Sequence, residues 1–221
     1  VQIAIDGPAS AGKSTVAKRV AQELGFIYCD TGAMYRAATV LAAENQLDYG
    51  DEAGILAKLT QQEISFKPGA PGHEQQVFLG QEDVTFAIRT PEITNNVSQV
   101  SALAQIRQAL VAQQRQIASG HSIVMDGRDI GTTVLPQAQV KVFLVASAAE
   151  RARRRYAENL TKGIETPLAQ LEDEIVARDY KDSHRKVSPL TKAADAIEID
   201  TTALTIDEVV AKIVDLAQKK Q

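Results

Sequence analysis

Short apolar runs alternate along the chain with longer stretches in which apolar residues recur every three or four positions. That alternation predicts strands separated by helices, and so a parallel sheet with crossover connections. Val1–Asp6 reads as the first strand, and Lys13–Leu24 as an amphipathic helix stopped by Gly25. Phe26–Cys29 is a second short strand. Ser122–Asp126 and Val140–Val145 are nearly continuous apolar runs, the pattern of strands covered on both faces. Ala196–Asp200 supplies a fifth. Thr205 and Glu208 then form a capping box for a last helix carrying Val209, Val210, Ile213 and Leu216.

Two stretches break this rhythm. Ile64–Ile93 places Pro68, Gly69, Pro71, Gly72 and Gly80 between the short alternating runs Ser65–Lys67, Gln76–Leu79 and Glu82–Phe86. Turn residues between period-two runs predict a small antiparallel insert made of hairpins. Arg151–Arg185 is rich in charge and poor in apolar residues, with a Lys162-Gly163 break before a helix start at Thr166-Pro167. A polar helical pair flanked by hinges is expected to act as a mobile lid.

Composition narrows the partners. The chain has 221 residues, a net charge of −4 and one cysteine, Cys29. A slightly acidic chain has no general attraction for nucleic acid or anionic membranes, so positive charge for an anionic substrate must be local. One cysteine forms no internal disulfide, no apolar run approaches a membrane span, and no signal-peptide pattern opens the chain. The chain starts at Val1 without methionine, so a few residues are expected to precede it. The expectation is a cytoplasmic protein, and a monomer, since no exposed apolar stripe stands out.

Gly7-Pro8-Ala9-Ser10-Ala11-Gly12-Lys13-Ser14 matches G-x-x-x-x-G-K-[ST] in full, with a strand before it and a helix after it. Such a loop turns backbone N–H groups toward phosphate oxygens, and the helix N-terminus adds partial positive charge. Gly7–Thr15 is therefore the expected ATP site. Lys13 would reach the β- and γ-phosphates, and the Ser14 hydroxyl would ligate Mg²⁺. No N-K-x-D motif follows a later strand, which argues against a GTPase. Asp126 ends a strand but is followed by Gly127-Arg128-Asp129, and an arginine beside an ATP site implies a second anion, an acceptor phosphate.

Other arginines point the same way. Val100, Leu103, Leu110 and Val111 define one helical face within Ser98–Ser119, and Arg107 lies on it. Arg107 either snorkels to water from the edge of that face or meets a base or phosphate with its fork. In Pro167–Arg185, Leu171, Ile175, Arg178, Asp182 and Arg185 fall within about 40° of one line at 100° per residue. The polar half of this stripe either faces a ligand, with Arg178 and Arg185 binding anions and Asp182 accepting hydroxyl hydrogens, or pairs within the helix. Ser147 and Glu150 cap a helix on which Arg151, Arg154 and Arg155 cluster, around a phosphate or on a solvated basic face.

These residues carry a specific resemblance. The chain resembles the bacterial cytidylate kinases, of the nucleoside monophosphate kinase family. The matching segments are Ile5-Asp6-Gly7-Pro8, Asp30-Thr31-Gly32-Ala33-Met34-Tyr35-Arg36, Ile88-Arg89-Thr90, Ser98-Gln99-Val100 with Arg107, Asp126-Gly127-Arg128-Asp129-Ile130-Gly131, and Ala177-Arg178-Asp179 through Arg185. The resemblance implies an α/β P-loop kinase: a three-layer sandwich with a five-stranded parallel sheet, an antiparallel insert in the nucleotide-acceptor region and a helical lid. It places the core in 1–30, 94–146 and 186–221, the acceptor region in 31–93 and the lid in 147–185.

The implied reaction is phosphorylation of CMP or dCMP by ATP with Mg²⁺. Arg36, Arg128 and Arg185 would hold the acceptor phosphate. Ser98, Arg107 and Asp129 would read the cytosine edge, and Arg178 with Asp182 would contact the sugar. Thr31 and Arg89 would line the acceptor site, and Arg154 and Arg155 would close over ATP. Lys181 departs from the arginine expected there, keeping the charge but not the planar fork. Lys13, Arg128, Arg185, Arg154 and Arg155 make up the expected catalytic set. Two rival readings remain: a kinase for UMP or another small acceptor, and a nucleotide-dependent RNA-binding protein that uses the basic lid.

Overall fold

The computed structural model describes residues 1–69 and 73–221, so the turn signals Pro71 and Gly72 lie outside the described residues. Five strands form one parallel sheet: β1 (Gln2–Asp6), β2 (Ile27–Asp30), β6 (Ile123–Gly127), β7 (Val140–Val145) and β8 (Ile197–Asp200). Their order is β2-β6-β1-β7-β8. All five expected strands are present, each within a residue of the bounds read from the sequence. β1 lies at the centre, pairing in parallel with β6 on one side and β7 on the other. Its register sets Asp6 beside Gly127 and Phe143, so the loops leaving β1, β6 and β7 all emerge at the carboxyl edge. In open sheets of this kind ligands bind at that edge.

An apolar cluster packs against the sheet. Ile3, Ile5, Val124, Val142 and Leu144 from the strands pack with Val16 and Val20 of α1 (Lys13–Leu24) and with Val209, Val210 and Ile213 of α8 (Ile206–Gln218). Each such side chain contributes roughly 1.5–3 kcal/mol by leaving water. The capping box of α8 forms as the sequence requires: the Thr205 hydroxyl accepts from the Glu208 N–H at 3.2 Å and donates to its carboxylate at 3.1 Å.

By its internal contacts the chain divides into two compact units, Val1–Asp30 with Arg115–Gln221, and Thr31–Gln114. The second unit contains α2 (Thr31–Glu44), α3 (Glu52–Leu59), a three-stranded antiparallel sheet and α4 (Pro91–Ser101). The sheet is the expected insert, with β3 (Ile64–Lys67) pairing β4 (Gln76–Leu79) and β4 pairing β5 (Glu82–Asp83). Its third strand is shorter than the Glu82–Phe86 run. Asp83 accepts from the Thr85 N–H at 2.9 Å, which folds the chain out of the ladder, and Val84 turns inward.

The helical face read across Ser98–Ser119 is a further correction. α4 ends at Ser101 and α5 (Ala104–Ala118) begins three residues later, so Val100 and Arg107 sit on different helices. Among the described residues no helix is long and apolar enough to cross a membrane.

Asp6 closes β1 and is buried. Its carboxylate accepts from the Ile130 and Gly131 N–H groups at 2.9 and 2.8 Å, tying the segment after β6 to the central strand. Burial raises its pKa to about 6, against the pull of those two N–H groups. A carboxyl raised in the folded state favours folding fully below its unfolded value of 3.8, and that contribution is lost as pH rises through 6. The stability of the protein relative to its Asp6→Asn variant is therefore expected to fall by about 2 kcal/mol between pH 4 and 7. Urea melts of both proteins across that range check it; a difference independent of pH would refute it.

Candidate active site

The first unit presents the phosphate loop at the carboxyl end of β1. Gly7 has φ +154°, and a Cβ there would lie 2.3 Å from the Leu144 carbonyl oxygen, because the loop runs against β7. Only glycine fits. Gly7→Ala should cost several kcal/mol, on the scale of severe backbone clashes, read as a large fall in melting temperature. Gly12, at φ +82°, opens α1 with no side-chain cap, leaving the helix N-terminus to an anion.

Lys13 is 6% exposed, and its ammonium donates to the Pro8 carbonyl at 2.6 Å, folded over its own loop. Burial, and then Arg128, push its pKa down. Ser14 donates to Asp126 at 2.9 Å, and the Tyr28 hydroxyl donates to the other Asp126 oxygen at 2.9 Å. Burial and Asp30 raise the pKa of the Asp126 carboxyl. The sequence marked Asp126 as a strand end and as the start of the Asp126–Gly131 segment, but gave it no role in the site. Its contact with Ser14 makes it part of the site; the sequence signal was an aspartate closing a buried strand, and the structure sets it beside Ile5 of β1.

The expected helix pair is there. α6 (Ala148–Thr161) is capped by the Ser147 hydroxyl, which accepts from the Glu150 N–H at 3.1 Å, and α7 is Leu168–His184. Leu171 and Ile175 of the stripe pack on Ala152 and Tyr156. Its second half faces Arg128. Asp182, 4% exposed, accepts from Arg128 Nε at 3.0 Å and lies 4.0 Å from Arg178. Burial alone would raise the Asp182 carboxyl, but Arg128, Arg178 and Arg185 together hold it below its ordinary value. Burial lowers the Arg178 pKa to about 10, with Arg128 adding to it. The stripe's charges thus pair chiefly with a residue from another segment rather than along their own helix. Arg185 caps α7 and donates from Nε to the Ser188 carbonyl at 2.7 Å. Lys181 is exposed.

The three arginines of α6 part company. Arg151 is buried: it donates to the Ala9 and Ala146 carbonyls at 3.0 and 2.9 Å and pairs with Asp179 at 2.6 Å. Asp179 also accepts from the Ala9 N–H at 3.3 Å. The anion that Arg151 needs is thus a protein carboxylate, which corrects the expectation that a nucleotide phosphate fills that role. Arg154 binds Thr201 through two nitrogens, at 3.0 and 2.7 Å, and Glu150 at 3.2 Å. Arg155 reaches the loop, with Nη1 3.4 Å from the Ser10 hydroxyl.

In the second unit Arg107 is 2% exposed, so it does not snorkel. It donates to the Ser101 carbonyl at 2.9 Å, and its guanidinium lies 4.7 Å from the centre of the Tyr35 ring. Arg36 is also buried, donating to the Ile88 carbonyl at 2.9 Å and the Thr94 hydroxyl at 2.8 Å. Thr31 begins α2 and is buried, Ser98 is half-buried on α4, and Arg89 is exposed in a 3-10 turn, Ala87–Arg89. Asp129 is buried at the start of a π-type turn, Ile130–Val134, in the first unit. A cavity of about 130 Å³ between Leu56, Ile64, Leu110 and Gln113 touches none of these residues.

A parallel sheet with a glycine-rich loop leaving its central strand, and a buried lysine folded over that loop, define a P-loop nucleotide-binding fold. A family model described as cytidylate kinase matches residues 3–219. The chain is 63% identical to a cytidylate kinase of Lactiplantibacillus plantarum, covering 100% of this chain and 96% of that protein. It is 58% identical to one of Streptococcus pneumoniae serotype 4, covering 100% and 98%. A solved structure of an uncharacterized protein from Eubacterium ventriosum shares the fold, with a TM-score of 0.53 at 12% identity, covering 99% of this chain and 98% of that one. The chain belongs to the cytidylate kinase family, and is a nucleoside monophosphate kinase.

Proposed function

We propose that the protein transfers the γ-phosphoryl group of ATP to CMP and dCMP, giving ADP with CDP or dCDP. The observation that carries this reading is the Arg128–Asp182–Arg178 cluster beside the phosphate loop, whose charge Lys13 senses. A donor site alone does not need it. An acceptor phosphate does. The family relationship supports cytosine as the base.

The acceptor oxygen belongs to a phosphate already anionic near neutral pH, so no general base is assigned. The chemical problem is to align two anions that repel each other and to keep water out. Lys13 holds the donor's β- and γ-oxygens against the loop N–H groups of Gly7–Thr15. Arg128 and Arg185 take the acceptor phosphate. Arg155 lies beside Ser10, where it can neutralise charge on the transferring group, and Arg154 would join it by leaving Thr201. Arg178 and Asp182 are assigned to the sugar and Asp129 to the base. In the second unit Arg36 is assigned to phosphate, Ser98 and Arg107 to the cytosine edge, and Thr31 and Arg89 to the acceptor lining.

The residues around Ser14 suit Mg²⁺, because a hydroxyl and a carboxylate 2.9 Å apart form a hard oxygen donor set. Ser14 and Asp126 would hold the ion, and Asp126 would then stay ionised despite its burial. Bound there, Mg²⁺ would supply positive charge to neutralise the donor phosphates. A coupled assay of ADP production against CMP, dCMP, UMP and AMP tests the reading. Turnover with CMP and dCMP well above the others is expected. No turnover with either, alongside turnover with another acceptor, would overturn it.

A further inference from the structure

The segment after α7 contains a backbone outlier. Ser188 has φ +48°, a conformation that non-glycine residues avoid, and it precedes Pro189, which restricts it further. Strain of this kind persists only where the surroundings over-determine it. Two contacts do so here. The Ser188 carbonyl accepts from Arg185 Nε at 2.7 Å, and the Thr133 hydroxyl lies 3.2 Å from the Ser188 hydroxyl as donor.

Thr133 is itself fixed. It lies in the π-type turn that follows Arg128 and Asp129, its N–H donates to the Asp129 carbonyl at 2.9 Å, and its own carbonyl accepts from Arg115 at 2.6 Å. A chain of contacts therefore runs from the segment carrying Arg128, through Thr133 and Ser188, to Arg185. The Nε bond fixes one edge of the Arg185 guanidinium, so the direction of the Ser188 carbonyl bears on where the other nitrogens point. That direction is set by the strained backbone, which the Thr133 hydroxyl holds.

We propose that Ser188 is a positioning residue that, through its hydroxyl contact with Thr133, aims Arg185 at the acceptor phosphate. The proposal rests on the assignment of Arg185 to that phosphate. Ser188→Ala and Thr133→Val each remove one hydroxyl while nearly keeping shape. Each is expected to lower kcat/KM for CMP about tenfold and to leave KM for ATP unchanged. Ser188→Gly, which also relieves the strain, is expected to be at least as stable as the parent and no more active than Ser188→Ala.

The deciding measurement repeats Ser188→Ala and Thr133→Val in an Arg185→Ala background. If both hydroxyls act through Arg185, their effects vanish there. Losses that persist undiminished would mean a general structural role and overturn the proposal, as would wild-type kinetics in both single variants. Arg185→Ala with undiminished CMP turnover would overturn the acceptor-site assignment itself, and this proposal with it.

Discussion

Lys13→Met is expected to fold, to melt within a few degrees of the parent, and to lose turnover by a factor on the order of 10²–10³. Lys13 is enclosed by the loop and lies among Arg128, Asp126 and Asp6. Burial and Arg128 disfavour its charge in the folded state, so removing the charge relieves a cost. Against that, Asp126 and Asp6 lose a neighbouring cation, and the Pro8 carbonyl loses its donor. The two carboxyls can respond by binding protons, which limits the penalty. Catalysis has no comparable escape, because charge at the β- and γ-phosphates needs a fixed cation. Thermal melts beside the ADP assay check both halves. Turnover within tenfold of the parent would refute the assignment.

Arg185→Ala and Arg128→Ala should both abolish most CMP-dependent turnover, again by about 10²–10³-fold, but they should differ in stability. The Asp182 carboxylate is buried against Arg128 Nε at 3.0 Å. Removing one partner of a buried pair costs roughly 3–5 kcal/mol, since the other charge is stranded. Arg178 and Arg185 remain near Asp182, so the lower end applies. Arg128→Ala should therefore be both slow and less stable, and adding Asp182→Asn should restore stability without restoring turnover. Among the charges that hold the Asp182 carboxylate, Arg185 counts for less than Arg128, so Arg185→Ala should cost less stability than Arg128→Ala. An unchanged CMP-dependent rate in either single variant would remove that arginine from the reaction.

The sheet was legible because buried parallel strands are short unbroken apolar runs and because the phosphate loop marks where β1 ends. The α7 stripe was legible too, since helical spacing alone put Arg178, Asp182 and Arg185 in line with Leu171 and Ile175. What escaped lacks periodicity. α2 is buried on almost every side, from Thr31 to Ala42, so no polar face marks it as a helix. The break after Ser101 has neither proline nor glycine to announce it. The partners of arginines escaped for another reason. Spacing says which face a guanidinium occupies, not which remote carboxylate it meets, so Asp179 for Arg151 and Asp182 for Arg128 could be read only from coordinates.

The grip of Arg151 and Asp179 on both the N–H and the carbonyl of Ala9 has a mechanical consequence. It makes the phosphate loop the fulcrum of the α6–α7 hairpin rather than a bystander. A lever fixed there cannot swing as a rigid arm without dragging Ala9. Travel is left to the far end, where Lys162-Gly163 joins the helices and Leu160, Ile164 and Leu168 are exposed. A pull on that tip would therefore be expected to reach the loop through Ala9.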